Sequence, residues 1–156
     1  MTDQQASWAS SEAIRRTMLA CRNRDTRPEK VLRSLLHASG LRFRVCARPV
    51  SAVRRTADVV FPRVRVAVFI DGCFWHGCPE HYRLPRTNTE YWNEKITGNQ
   101  RRDEHTNKLL NDAGWTVVRV WEHEDPVEAA VVVAEAVADA SARIGPRRPK
   151  QAGQRR

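Results

Sequence analysis

The apolar and polar positions of the chain follow a helical period after Thr26. The apolar residues that recur at this spacing are Val31, Leu32, Leu35 and Leu36. Before them, Thr26 and Glu29 form a capping-box pattern with Pro28 in the first turn, and Gly40 supplies a stop signal after them. The pattern predicts a helix between Thr26 and Gly40.

The remaining periodicity predicts an alternation of strands and helices. Runs rich in Val, Ile and Phe predict strands at residues 41–45, 57–61, 64–70 and 115–121. Helical patterns occur at residues 12–21, 90–96 and 100–113, and from Pro126 to about Arg143. This order predicts an α/β fold whose central mixed sheet is flanked by helices.

Length and composition favour one intracellular domain. The 156 residues, 41% of them hydrophobic, are enough for one real core and few for two. No run reaches the roughly 18 apolar residues of a membrane span, and the polar N-terminus does not resemble a signal peptide. We therefore expect a cytoplasmic protein, in which the four cysteines are free, structural or metal-bound and not paired in disulfides.

The charge balance favours a polyanionic partner. A formal net charge of +9 suits nucleic acid, although a basic protein without such a partner is also possible. The basic stretch at residues 14–24 suits either an arm over DNA or a solvated helix face. The tail from Arg143 carries six basic residues, no acid and little apolar content, so we expect it to be disordered.

A cluster of sulfur and imidazole groups surrounds the end of the third predicted strand. Cys73, Cys78 and His81 lie in a C-x4-C-x2-H spacing, and His123 follows the fourth strand. Such ligands suit a closed tetrahedral zinc site that would fasten the loop to the sheet. The spacing is not that of a common zinc finger, so incidental cysteines and solvated histidines are the alternative.

Two acids and a histidine suggest metal-assisted hydrolysis beside this cluster. Asp58 begins one predicted strand and Asp71 ends the next, so a hairpin pairing would bring both carboxylates together for Mg²⁺. His76 has a side chain suited to take a proton from water. Each residue also has an ordinary explanation, because Asp58 could cap a strand, Asp71 could belong to an Asp-Gly turn and His76 could be solvated.

The aromatic pair Phe74 and Trp75 is the third feature of this loop. Two large rings at this position would suit a wedge that stacks on poorly paired bases. They would equally suit a roof over a small core. Three other tryptophans, Trp92, Trp115 and Trp121, are assigned to core or half-buried positions.

Taken together, these residues resemble the very-short-patch-repair (Vsr) family of DNA mismatch endonucleases. The resemblance covers roughly residues 11–125 and is carried by the blocks RNRDTRPEKVLRSLLHASGLRFRV, ADVVF, VFIDGCFWHGCPEH, YWNEKITGNQRRDEH and AGWTVVRVWEHE. It implies a restriction-endonuclease-like core with a structural zinc site. It also implies a strand-specific nickase that cuts 5′ of the thymine in T:G mismatches, which arise by deamination of 5-methylcytosine.

The resemblance also implies a role for individual residues. Asp58 and the main-chain carbonyl of Ile70 would bind Mg²⁺, and His76 would be the catalytic histidine. The remaining roles fall on an acid near the site, on two intercalating aromatics and on a residue that wedges from the opposite groove. These residues are Glu29, Phe74, Trp75 and Met18. Met18 could otherwise be a packing residue.

The chain departs from the family pattern at two places. Asp71 stands where the best-known pattern has a second histidine, which makes Asp71 a candidate catalytic acid and second Mg²⁺ ligand. The usual zinc set has three cysteines and one histidine, whereas Cys73, Cys78, His81 and His123 are assigned here. Two neutral imidazoles then replace thiolate charge.

We therefore expect a flexible N-terminus at residues 1–10, an endonuclease domain at 11–143 with an arm at 11–25, and a disordered basic tail at 144–156. The expected cofactors are catalytic Mg²⁺ and structural Zn²⁺. The partners would be duplex DNA with a T:G mismatch and, through the family, a cytosine-5 DNA methyltransferase and a repair polymerase, with the enzyme nucleoid-associated and monomeric. The alternatives are a restriction or defence endonuclease and a zinc-stabilised DNA-binding module.

Overall fold

The fold is a mixed four-stranded sheet flanked by helices, as the sequence predicts. The computed structural model describes Glu12, Arg16 and residues 24–145. The strands are β1 (Arg44–Ala47), β2 (Ala57–Phe61), β3 (Val66–Asp71) and β4 (Thr116–Trp121), and the helices are α1 (Arg27–Ala38), α2 (Thr89–Asp112) and α3 (Pro126–Ile144). Met18 and Cys21 lie outside the described residues, as do most of the predicted arm and tail.

The order of the strands brings the candidate residues to one edge of the sheet. The order is β1-β2-β3-β4, with antiparallel pairs β1/β2 and β2/β3 and a parallel pair β3/β4. The parallel pair is joined by a crossover through α2. The carboxyl ends of β3 and β4 therefore lie side by side, with Asp71 opposite Trp121, next to the beginning of β2.

Both faces of the sheet are covered. On one face, Val59 and Val68 belong to a core that contains Leu36 of α1 and Val133 of α3, all of them fully buried. On the other face, Val60 and Ala67 pack with Leu110 of α2. Burial on both faces explains why β3 is apolar along its whole length.

The helical pattern that appeared interrupted around Gly98 belongs to one helix. Separate helices were predicted at residues 90–96 and 100–113, whereas α2 runs without a break from Thr89 to Asp112. A glycine inside a helix costs only about 1 kcal/mol. Burial of Trp92, Ile96, Thr106 and Leu110 along one side of α2 outweighs that cost.

The first strand begins later than its alternation suggests. Residues 41–45 were predicted, but β1 spans Arg44–Ala47. Arg44 pairs with Val60, and β2 ends one residue later at Phe61. Residues 41 and 42 would therefore extend past the end of the partner strand, where no ladder can form.

Among the described residues, no helix is long and apolar enough to cross a membrane.

Candidate active site and metal centre

A cavity of about 410 Å³ lies where the end of β3 meets the beginning of β2. The charged and imidazole groups of its lining are Glu29, Asp58, Asp71, Asp103, Arg55, Arg102, Arg119 and His76. The structure thus gathers the four residues predicted as catalytic, Glu29, Asp58, Asp71 and His76, in one place. It adds Asp103 and Arg119, which the sequence did not single out.

Asp58 is a largely buried carboxylate that lacks a cation. Its Oδ2 accepts a hydrogen bond of 2.8 Å from the backbone N–H of Ile70, and no ion pair to Asp58 occurs in the described part of the chain. Burial raises the pKa of Asp58 to about 6, and the Ile70 N–H opposes that rise only in part. A bound cation would offset the cost of ionising this group, so its surroundings fit a metal ligand.

His76 is held by an acid on α2. Its Nδ1 lies 2.5 Å from Oδ2 of Asp103 and 3.7 Å from Oδ1 of Asp71. With the proton of Nδ1 donated to Asp103, Nε2 is left as the basic nitrogen. This is the arrangement in which a histidine can take a proton from water.

The signal for Asp103 was present in the sequence. Asn99, Arg102, Asp103 and Thr106 are spaced three or four residues apart, so a helix places them on one side. All four line the cavity. Asn99 lies in the gap between the two predicted helices, so the polar side was not complete in the predicted pattern.

The loop that carries His76 is fastened to α2. Nδ2 of Asn99 donates to the carbonyl of Trp75 at 2.6 Å, and Nε2 of Gln100 donates to the carbonyl of His76 at 3.3 Å. Gly77 has a φ of +64°, and a Cβ there would lie 2.8 Å from Cγ2 of the buried Ile96. Glycine is therefore required both by the backbone conformation and by the close approach of α2.

Asp71 is buried and paired with Arg119. Nη1 of Arg119 lies 2.7 Å and 2.9 Å from the two carboxylate oxygens of Asp71, which is only 6% exposed. Nε of Arg119 donates to Oδ1 of Asn107 at 2.9 Å. The guanidinium carbon, Cζ, lies 4.6 Å from the centre of the Phe69 ring. The role of Asp71 as a second metal ligand stays a prediction, and this carboxylate already has a cation in Arg119.

Glu29 is buried, but not in the predicted capping box. The side chain of Thr26 makes no cap bond, and its hydroxyl donates instead to Oε1 of Glu29 at 3.0 Å. Oε2 of Glu29 accepts from the Asp25 N–H and from Arg33, each at 2.8 Å. Glu29 therefore lies at the cavity with its charge already paired with Arg33.

The four predicted zinc ligands lie together. Each of Cys73, Cys78, His81 and His123 offers a ligand atom within 4.8 Å of the others. Nδ1 of His123 is 3.1 Å from Sγ of Cys73 and 3.7 Å from Sγ of Cys78, and Nδ1 of His81 is 3.8 Å from Sγ of Cys78. These separations suit ligands around one tetrahedral ion with bonds of about 2.0–2.3 Å.

The chemistry of the two thiols also fits a cation. Burial raises the pKa of Cys73 to about 11, assisted by the adjacent Cys78. Burial acts to raise the pKa of Cys78, but hydrogen bonds from the N–H groups of His81 and Glu80 and from the side chains of His81 and Cys73 together lower it. Two adjacent thiolates are costly without a positive ion between them, and both are zinc ligands when ionised. Zinc itself stays a prediction.

The loop aromatics form a cluster with α2. The ring of Phe74 lies 5.3 Å from that of Trp75, 5.2 Å from Trp92 and 5.8 Å from Tyr82, measured between centroids. Phe74 and Trp75 are half-buried, whereas Trp92 is buried. The core and half-buried assignments of Trp92, Trp115 and Trp121 are confirmed.

Comparison with known proteins agrees with this site. Residues 10–81 match the family described as DNA mismatch endonuclease Vsr. The Type II nicking enzyme V.NaeI of Lentzea aerocolonigenes is 47% identical over 122 residues, which cover 77% of this chain and 74% of the relative. DNA mismatch endonuclease Vsr of Escherichia coli K12 is 40% identical over 108 residues, which cover 69% of this chain and 67% of the relative. V.XorIIP of Xanthomonas oryzae, also a Type II nicking enzyme, is 41% identical over 116 residues, which cover 74% of this chain and 83% of the relative.

Proposed function

Because this chain belongs to the Vsr family and is a DNA endonuclease, we propose that it nicks the thymine strand 5′ of T:G mismatches. The observation that carries the proposal is the position of His76 between Asp103 and Asp71, in the cavity that Asp58 lines. Hydrolysis of a phosphodiester needs a base, a carboxylate that is free to bind a metal ion, and positive groups such as arginines for the phosphate.

The residues of the cavity would have separate roles in the hydrolysis. Asp103 holds Nδ1 of His76, so that Nε2 takes the proton of the attacking water. As the water oxygen bonds to phosphorus, the bond from phosphorus to the leaving oxygen breaks. Arg55 and Arg102 line the same cavity and suit the phosphate oxygens.

Asp58 and the carbonyl of Ile70 would hold the magnesium ion. In a strand, the N–H and C=O of a residue address the same neighbouring strand, and the Ile70 N–H is directed at Asp58. A magnesium ion at this point would supply the positive charge that stabilises the leaving oxygen. Metal binding by Asp58 agrees with the lack of an ion-pair partner for this carboxylate among the described residues.

Phe74 and Trp75 would act as the wedge at the mismatch. They are half-buried and supported from behind by Trp92, so the loop presents a stiff aromatic surface next to the cavity. A mismatched step costs less to unstack than a paired one, and this difference favours entry of the rings at T:G. The cluster of Cys73, Cys78, His81 and His123 would keep the loop in place with zinc.

A restriction-type endonuclease that cuts fully paired DNA is the second candidate. The relatives from Lentzea and Xanthomonas are named Type II nicking enzymes, and the acid at Asp71 replaces the family histidine. Both readings use the same hydrolytic residues, so only the substrate separates them.

Cleavage of matched substrates decides between the two. Duplexes with T:G in varied flanks and the same duplexes with T:A should be incubated with Mg²⁺ and with EDTA. Mg²⁺-dependent cutting restricted to T:G supports the proposal, and equal cutting of T:A supports the restriction reading. Phe74→Ala and Trp75→Ala should reduce cutting and binding at T:G more than binding to T:A, and an equal loss on both would count against the wedge.

A further inference from the structure

The end of the sheet opposite the catalytic cavity carries a group of exposed arginines. Val66 and Thr116 pair at this end of β3 and β4, and Asp71 and Trp121 pair at the other. Five residue steps of a strand span about 17 Å. The two ends are therefore separate surfaces of the protein.

Two grooves cross this surface and share the residue Arg63. One, of about 650 Å³, is lined by Arg42, Arg44 and Arg63, and the other, of about 360 Å³, by Arg63, Arg65 and Arg143. Neither lining contains an acid. We call these five arginines the arginine end.

The guanidinium groups of the arginine end are not neutralised. All five residues are exposed, and none forms an ion pair with another described residue. Within the described part of the chain, the side-chain hydrogen bonds of Arg42 go to the carbonyls of His37 and Leu41, and that of Arg143 goes to the hydroxyl of Thr116. Elsewhere in the described chain, Arg33 and Arg119 each pair with acids.

The sequence continues this positive charge. Helix α3 ends at Ile144, directly after Arg143, and residues 145–156 add five basic residues and no acid. Each guanidinium offers a rigid fork of donors that matches phosphate oxygens, and several of them along joined grooves match a phosphate backbone better than a single ion. DNA is already the substrate class of this endonuclease.

From this surface we propose that the arginine end binds the phosphate backbone of a second DNA segment while the catalytic cavity holds the first. The proposal rests on the endonuclease class of the chain and not on its preference for T:G. Two segments held at once let an enzyme pass between neighbouring stretches of DNA without complete release.

Capture of a second duplex on the immobilised complex tests the proposal. A short T:G duplex is fixed to a surface and loaded with full-length protein in EDTA, and a short fluorescent T:A duplex is then added. Duplexes far shorter than the persistence length of about 150 base pairs cannot bend around the protein to reach both surfaces.

The variant Arg63→Gln/Arg65→Gln should lose affinity for the second duplex about tenfold, and the salt dependence of capture should fall by a slope of about 2. Lys30→Gln/Arg101→Gln removes the same charge from exposed positions outside both grooves and the cavity, and it should capture like wild type. Arg44→Gln/Arg63→Gln serves as a second variant that leaves unchanged Arg65, whose φ of +56° lies in the left-handed region. Nicking of the first duplex should be unchanged in every variant.

Three results would overturn the proposal. The first is no capture of the second duplex by wild-type protein, and the second is an equal loss of affinity for it in the variant pair and the control pair. The third is a complex that, by sedimentation, contains two copies of the protein between the two duplexes. Capture of the second duplex together with equal nicking of T:G and T:A duplexes would retain the second surface and reject the proposed mismatch specificity. Nicking specific for T:G without capture of the second duplex would retain the mismatch specificity and reject the second surface.

Discussion

Nη1 of Arg119 contacts both carboxylate oxygens of Asp71, at 2.7 Å and 2.9 Å, across the parallel pair of strands β3 and β4. Nη2 of the same guanidinium lies 3.4 Å from Oδ1 of Asp103, the acid that holds His76. The charge of Asp71 is therefore balanced within the protein, whereas that of Asp58 is not. This difference supports the proposal that Asp58, and not Asp71, is the principal metal ligand.

Removing one member of the Asp71–Arg119 pair should cost more than removing both. Arg119→Met leaves a buried carboxylate without its cation, so the free energy of unfolding should fall by about 3 kcal/mol. Asp71→Asn/Arg119→Met removes the charge as well and should recover much of that loss. Urea unfolding of wild type, both single variants and the double variant measures the coupling.

The same variants test whether Asp71 is needed as a metal ligand. The double variant should keep measurable Mg²⁺-dependent nicking, because Asp58 is intact. A double variant that is folded yet inactive would make Asp71 an essential ligand. A double variant no more stable than Arg119→Met would contradict the pairing argument.

Asp58→Asn should stabilise the fold while it abolishes nicking. The pKa of Asp58 rises from 3.8 to about 6 on folding, so ionisation above pH 6 opposes folding, and below about pH 4 the carboxyl is neutral in both states. Without added Mg²⁺, the variant should gain up to about 3 kcal/mol at pH 8, and the gain should vanish as the pH falls through 6 towards 4. Unfolding curves across this range measure it, and a variant less stable than wild type at pH 8 would refute the account of Asp58.

Asp103→Asn should impair nicking strongly by releasing His76 from its orientation. A histidine that loses its orienting carboxylate loses the correct tautomer, and the rate should drop about 100-fold or more. Glu104→Gln is the matched control, since Glu104 is the exposed neighbour of Asp103 on α2. Single-turnover nicking at saturating DNA measures the effect, and loss below threefold for Asp103→Asn would remove Asp103 from the mechanism.

The sulfur and imidazole cluster should hold one zinc ion per chain. Cys78→Ser removes a buried thiol shared by the contacts to both histidines, so zinc content and melting temperature should fall together. Cys46→Ser, outside the cluster, should retain zinc. Elemental analysis of protein purified without chelators measures this, and wild-type protein free of zinc in zinc-containing medium would contradict the assignment.

Local sequence blocks predicted much of the site because their chemistry is contiguous. The segment from Ile70 to His81 contains His76 and three of the proposed zinc ligands, and the order of strands was sufficient to bring Asp58 to it. Arg119 could not be found this way. Its approach to Asp71 depends on the register of β3 and β4, in which it pairs with Phe69, and no local pattern encodes that register.

Errors at the edges of elements had similar causes. Residues 97–99, which include Gly98, separate the two predicted helices, but the buried side of α2 keeps the helix continuous through them. The capping box at Thr26 did not form, and the Glu29 carboxylate bonds instead to Arg33, one turn beyond Glu29 on α1. A tertiary contact overrode local propensity in the first case, and a competing i,i+4 ion pair replaced the cap in the second.

Mapping the cut on a duplex with a single T:G mismatch tests the central claim most directly. The two strands carry different labels, and a matched T:A duplex and the Asp58→Asn variant serve as controls. One nick, on the thymine strand immediately 5′ of the mismatched thymine, with none in T:A or with Asp58→Asn, is the expected result. Cuts in both strands, or the same nick in the T:A duplex, would contradict a mismatch nickase.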